Sequence, residues 1–291
     1  MSSQSMDITD SQEGFSKKDL DKITSDVIFY VLSQEKKRLP LKKNDIFKAC
    51  NIQNKSKALK ENIMIEVKRQ LSHIFGIDLR EMNSRKGSSG MQYILINEKI
   101  EILKSLDDNY LNWSDTENAK LGLLFTVLGL IFMSPDGVVD DTVIYSFLKK
   151  LSVYDDSMSM DKTMAQKIRS TQGETEGVSP EIFSLFGNVR DLIHREWGSR
   201  QHYLDIKELP MKEGDSIPHF EFRWGERAEM EIKKSKILIN VCLMYNCPPS
   251  YFNEQRQKIL NGDNEEDCTI LTDYESALSK DDELSTCESP S

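Results

Sequence analysis

LGLLFTVLGLIFM, residues Leu121 to Met133, is the most apolar run in a chain of 291 residues of which 30% are charged. At ~1.5 Å per helical residue the run is too short to cross ~30 Å of hydrocarbon, so it reads as a buried helix. Asp115 to Lys120 before it and Ser134-Pro135-Asp136-Gly137 after it supply start and stop signals. At ~100° per residue, Leu121, Leu124, Phe125, Leu128, Ile131 and Phe132 share one face, and Leu123, Val127 and Leu130 lie roughly opposite. Such a helix needs two neighbours. One face fills its own domain's core; the other is expected to meet a second domain or another protein. Gly122 and Gly129 each cost about 1 kcal/mol in a helix interior, which close approach along a flat sector would explain.

The length suits two domains with tails. The first residues, MSSQSMDITDSQEG, are polar, and with no apolar signal segment among them an intracellular protein is expected. Cys50, Cys242, Cys247, Cys268 and Cys287 show neither a CxxC nor a Cys/His spacing, so reduced thiols are expected rather than zinc ligands or a disulfide framework. The net charge of -10 is unevenly spread: residues 15–106 carry +8, 107–262 carry -6 and 263–291 carry -9. The sequence therefore divides into a disordered tail 1–17, a basic domain 18–106, a second domain 107–250 with an insertion at 155–179, and an acidic disordered tail 251–291.

Apolar spacing predicts three helices in the basic domain. Leu20 to Leu32 forms the first, Asn44 caps a short second through Ala49, and Ser56 to Ile74 forms the third with Leu59, Ile63, Val67, Leu71 and Ile74 buried. Gly76 stops it. Ile77 to Met82 and Tyr93 to Ile96 then read as strands joined by NSRKGSSG. Three helices followed by a hairpin is the winged-helix order. The second domain repeats it: the apolar helix, Val139 to Leu151 with Val143, Phe147, Leu148 and Leu151 buried, a helix from Val189 to Trp197, strands Tyr203 to Leu209 and His219 to Trp224, and a closing helix Arg227 to Tyr245. The expected fold is mainly α with small β-hairpins, as tandem winged-helix domains.

Nothing in the sequence assembles a catalytic constellation. The four histidines lack metal-ligand spacing, GSSG at Gly87 to Gly90 lacks the lysine of a phosphate loop, and paired acids such as Asp140-Asp141 suit helix starts. A protein that is not an enzyme is expected, with no cofactor, no metal, no small-molecule substrate and no membrane partner. Basic residues carry more signal. Lys55, Lys57, Lys60, Lys68 and Arg69 surround the third helix and Arg85 and Lys86 mark the wing tip, the surfaces on which a winged helix meets duplex DNA. Lys36, Lys37, Arg38, Lys42 and Lys43 form a second cluster. Lysine-rich contacts to phosphate imply weakly sequence-specific binding. A transcription regulator would need base-reading side chains that this helix largely lacks.

The chain resembles the MAGE homology domain family over roughly residues 20 to 247. The resemblance rests on LGLLFTVLGLIFMSPDGVVDD, SFLKKLSVY, FSLFGNVRDLIHREWGSRQHYLDIKELP, HFEFRWGERA and FGIDLRE, several separated motifs in the family's order. It implies tandem winged helices and an adaptor that binds and stimulates a RING-type ubiquitin ligase. The family's di-leucine falls on Leu123 and Leu124, with Val127 and Leu130 on the same face as weaker partner contacts. In ancestral-type members the resemblance further implies a non-SMC subunit of the Smc five-six complex. Such a subunit bridges the RING subunit and the kleisin subunit and contacts duplex DNA in nuclear, chromatin-associated recombinational repair. A ligase adaptor outside that complex is the alternative. The chain departs from the family at 155–179, at Asn188-Val189 where Asp-Pro is common, and in the acidic tail.

Overall fold

The computed structural model describes residues 16–35, 37–82, 90–97, 114–155, 184–211, 218–262 and 264–285. Of the expected insertion at 155–179 all but Asp155, the expected wing tip with Arg85 and Lys86, and the first 15 residues lie outside the described residues. The chain separates into two compact units, Met1–Leu111 and Asn112–Ser291.

In the first unit, α1 (Lys17–Glu35), α2 (Lys43–Ala49) and α3 (Lys57–Gln70) precede the hairpin β2 (Ile77–Met82) and β3 (Gln92–Asn97). A two-residue strand β1 (Leu41–Lys42) completes an antiparallel sheet of order β1-β3-β2. Two residues are too few to show alternation, which is why only a hairpin was expected. Asn44 is not the cap of α2. The helix begins at Lys43, whose N–H donates to Met91 O at 3.0 Å, so the sheet takes the place of a side-chain cap. Ser56 does cap α3, its side chain accepting from Leu59 N. The helix then widens into a π-turn, Leu71–Phe75, and stops at Gly76 with φ 66°. That turn shifts its residues out of the 3.6-residue register, which leaves Ile74 exposed instead of buried. Val27, Val31, Ile46, Val67 and Leu71 form the fully buried centre.

In the second unit, α4 (Asp115–Met133), α5 (Asp141–Lys150) and α6 (Val189–Asp191, continued as a π-helical stretch Leu192–Arg200) precede β5 (Leu204–Glu208) and β6 (Phe220–Trp224). Strand β4 (Val139–Asp140) pairs with β6, giving the order β4-β6-β5. The molecule is thus mostly helical, with two small antiparallel sheets in tandem winged helices. Two residues expected to be buried are not: Val143 of α5 and Leu151, which follows its last residue, are exposed, and Ile144 joins the expected Leu148 in the core. The expected closing helix is two, α7 (Glu226–Glu231) and α8 (Lys234–Tyr245), broken where Ile232 and Lys233 adopt extended φ/ψ.

The expected disordered tail from 251 is corrected by the structure: α9 (Asn253–Leu260) and α10 (Glu265–Ser285) are helices. Ile259 and Leu271 are buried with Phe132, Ile237, Leu238 and Cys242 in a second apolar cluster of this unit. Asp267 is buried and accepts from Ser235 N at 2.8 Å and from Ser235 Oγ, capping the start of α8 from another helix. Arg256 holds Glu275 through two bonds of 2.6 and 2.9 Å, fastening α9 to α10.

Candidate interaction surfaces

Helix α4 starts at a capping box: the Ser114 side chain accepts from Glu117 N at 3.3 Å, and the Glu117 carboxylate accepts from Ser114 N at 3.0 Å. Its 19 residues satisfy the length and apolarity of a membrane span, but it is the central helix of the second unit. Leu123 and Leu124 are 6% and 2% exposed and Val127 is fully buried, all in one cluster with Val139, Ile144, Leu148, Ile193, Leu204 and Phe222, against which Leu130 packs. The expectation that Leu123, Val127 and Leu130 face outward is therefore corrected: that face meets the winged-helix core. The other face, with Phe125, Phe132 and Met133, is covered by α8, α9 and α10 of the same chain. A Cβ on Gly129 would lie 3.6 Å from Ile237, an ordinary contact, and one on Gly122 would meet nothing within 4 Å. Neither glycine is required by close approach. Beyond its polar first turn, what α4 offers solvent is a narrow strip, exposed Gly122 and Thr126 beside half-buried Leu121 and Phe125.

The motif residues that follow β6 are structural. Gly225 passes so close to the His202 carbonyl that an added Cβ would stand 2.2 Å from its oxygen, so no side chain fits. Trp224 Nε1 donates to Leu128 O at 2.9 Å, tying the hairpin to α4. Arg227 is buried, its Nε donating to Glu231 at 2.8 Å, its guanidinium over the Tyr203 ring, and Tyr203 OH donating to the same carboxylate oxygen. A buried arginine matched by a carboxylate and an aromatic face is expensive to disrupt.

The basic residues of the first unit divide. Lys68 Nζ lies 2.7 Å from Glu81, and Arg69 grips Glu66, holding the Glu66 carboxyl down at about 2. Both cations are compensated. At the other end of α3, Lys57 is highly exposed and only 3.9 Å from Glu61, and Lys60 lies 5.7 Å from the centre of the Phe47 ring, which Lys43 also covers at 5.8 Å. Lys43 of the second sequence cluster thus joins Lys60, with Lys55 and Lys57 nearby in sequence.

A further surface was missed in the sequence. Leu243, Met244, Tyr245 and Tyr251 are 62 to 75% exposed at the end of α8 and in the 3-10 turn Pro249–Phe252. Tyr245 and Tyr251 both pack edge-on against Phe252. Four large apolar side chains so exposed within nine positions form the kind of patch that marks protein contacts. The expected helix through Tyr245 places three of them, but not their exposure, which depends on where α9 and α10 stop covering α8.

Among the described residues, chemistry does not converge elsewhere. His194 sits between Phe220 and Phe222 with Nε2 2.9 Å from Tyr145 OH, and burial, then Arg190, pushes its imidazolium below the usual range. His219 stands 3.5 Å from Asp141. Among the described residues no three His, Cys, Asp or Glu side chains gather as metal ligands.

Across both winged helices, from α1 to the start of α8, a family model described as MAGE homology domain matches residues 27–235. The chain belongs to the MAGE homology domain family. Among its MAGE relatives, the human "Non-structural maintenance of chromosomes element 3 homolog" is 26% identical over 234 residues, 80% of this chain and 64% of that protein. The human "Melanoma-associated antigen D2" is 27% identical over 240 residues, 82% of this chain and 33% of that one. The chain therefore spans less than two thirds of either relative's length. A chain in a solved "Nse1-Nse3-Nse4 complex" superposes with a TM-score of 0.59 at 25% identity, covering 83% of this chain and 97% of that one.

Proposed function

We propose that this MAGE-domain protein is the Nse3-type subunit of an Smc five-six complex, an adaptor between a RING-type Nse1 subunit and a kleisin Nse4 subunit. The observation that carries the reading is the match along 97% of a chain from a solved Nse1-Nse3-Nse4 complex, which spans both winged helices and not one alone. The chain's surfaces support an adaptor: two separate places on the second unit offer apolar contact. We assign the strip of Gly122 and Thr126 with Leu121 and Phe125 to the RING subunit, where Leu123 and Leu124 act from beneath by fixing the helix, with Val127 and Leu130. The Leu243, Met244, Tyr245 and Tyr251 patch is assigned to the kleisin. Duplex DNA binds the first unit through Lys43, Lys55, Lys57 and Lys60, with Arg85 and Lys86 of the wing tip. Such a protein works on chromatin in the nucleus, in repair and chromosome maintenance, and stimulates ubiquitin transfer without catalysing it.

Co-expression with candidate Nse1 and Nse4 subunits tests the reading. The unaltered chain is expected to recover both; Thr126→Arg loses the RING subunit selectively, and Met244→Asp with Tyr251→Asp loses the kleisin selectively. Recovery of a RING ligase with no kleisin, from every Nse4 tried, would favour the adaptor outside the complex and overturn the proposal. Full recovery of both subunits by folded variants would overturn the surface assignments.

A further inference from the structure

Helix α8 ends in a left-handed cap that brings two cysteines together. Asn246 has φ 50° and donates its N–H to Leu243 O, and the Cys247 N–H reaches back to Cys242 O at 3.0 Å. This is the bond pattern of a Schellman motif, in which the side chains of the third-last helical region and of the second residue beyond the cap meet. Here those side chains are Cys242 and Cys247, both free thiols, within hydrogen-bonding reach of each other and faced by Tyr274 and Glu275 of α10. Cys242 is 1% exposed and belongs to the apolar cluster with Leu238 and Leu271, whereas Cys247 is half-buried and reachable.

We propose that Cys242 and Cys247 form a reversible disulfide when the protein meets hydrogen peroxide, a bond that clamps the end of α8 to the turn carrying Tyr251. The Cys247 thiolate attacks one peroxide oxygen; the O–O bond breaks, and the departing hydroxide takes a proton to leave as water. Cys247 is then a sulfenic acid. The Cys242 sulfur, giving up its proton, attacks the Cys247 sulfur; the S–S bond forms as the S–O bond breaks, and a second water leaves. Two thiols have lost two electrons and two protons to one peroxide, and a dithiol reductant reverses the change. The order follows access: burial pushes the Cys242 thiol up to about 11, so it is the slower nucleophile toward solvent and the natural resolving partner.

Chymotryptic cleavage after Tyr245 separates the two cysteines, which makes the bond directly readable. The full chain is reduced, exposed to hydrogen peroxide, alkylated, cleaved and weighed. The expected result is a joined pair of peptides containing Cys242 and Cys247, about 2 Da lighter than their sum as free thiols, unalkylated at both sites and released by dithiothreitol. Cys247→Ser abolishes the pair, and Cys268→Ser leaves it intact. Oxidation of Cys247 that stops at sulfinic or sulfonic acid, pairing of either residue with Cys268, or joining only between two chains would overturn the proposal. The unsubstituted chain alone decides these outcomes, so a variant that fails to fold does not blunt the test.

Discussion

Leu124 touches the core from a helix whose last thirteen residues are apolar on nearly every side, and its 2% exposure sets the cost of removing it. Truncation to alanine in such a site destabilises by roughly 2 to 5 kcal/mol, because neighbours on α5, α6 and the sheet cannot collapse onto the space. We expect Leu124→Ala to lower unfolding free energy by ~3 kcal/mol in denaturant titration, Leu123→Ala by a similar amount, and solvent-facing Thr126→Ala by less than ~0.5 kcal/mol. A Leu124→Ala protein as stable as the parent would contradict this burial. The pair therefore cannot report partner binding unless stability is measured beside it. Its burial was not legible because an all-apolar helix has no phase: the pattern shows that two faces are covered and not by what. Arg227 was equally opaque, since nothing local says that a charged residue will meet Glu231 and the Tyr203 ring instead of water.

Helix α10 shows how composition can hide an element. Its outward acids, Glu265, Glu266 and Asp273, make the segment look like a solvated tail, yet Asp267, Leu271 and Tyr274 recur at helical spacing on the inner side. The sequence rule for disorder weighs the average, whereas docking depends on the stripe. Removing the chain from Asn264 onward would uncover Leu238, Cys242 and Ile259 and strip Ser235 of its carboxylate cap. The truncated protein is expected to melt at lower temperature and to bind an apolar dye such as ANS more strongly. Asp267→Ala alone should cost ~1 to 2 kcal/mol, the scale of a lost cap. An unchanged melting temperature after truncation would mean that α10 does not hold the second face of α4. By contrast, the three helices and the hairpin of the first unit were readable in order and kind, because each has one wet face and one dry one. Among the described residues, two-residue β1, the π-turn after Gln70, the start of α2 and the outer turns of α1 escaped that pattern.

Across the whole molecule, net charge conceals a division of labour: the chain carries -10 overall while residues 15–106 carry +8. The excess was legible, but its geometry was not. Lys68 is neutralised by Glu81 from a strand thirteen positions on, and Lys43 and Lys60 share one neighbourhood because both stand over the Phe47 ring. The pairing of Lys68 and Arg69 removes two of the cations expected to meet phosphate. If Lys43, Lys55, Lys57 and Lys60 make about four phosphate contacts, they contribute about -3.6 to the slope of log affinity for duplex DNA against log salt, and Arg85 and Lys86 make it steeper still. Lys57→Glu with Lys60→Glu should weaken binding uniformly across unrelated duplexes and make the slope shallower by about two contacts' worth, ~1.8. Lys68→Gln should change it little, since Glu81 already holds that charge. Fluorescence anisotropy at several salt concentrations reads all three. A slope near zero in the unaltered chain, or a larger loss from Lys68→Gln than from the Lys57 and Lys60 pair, would move the DNA-binding surface away from this end of α3.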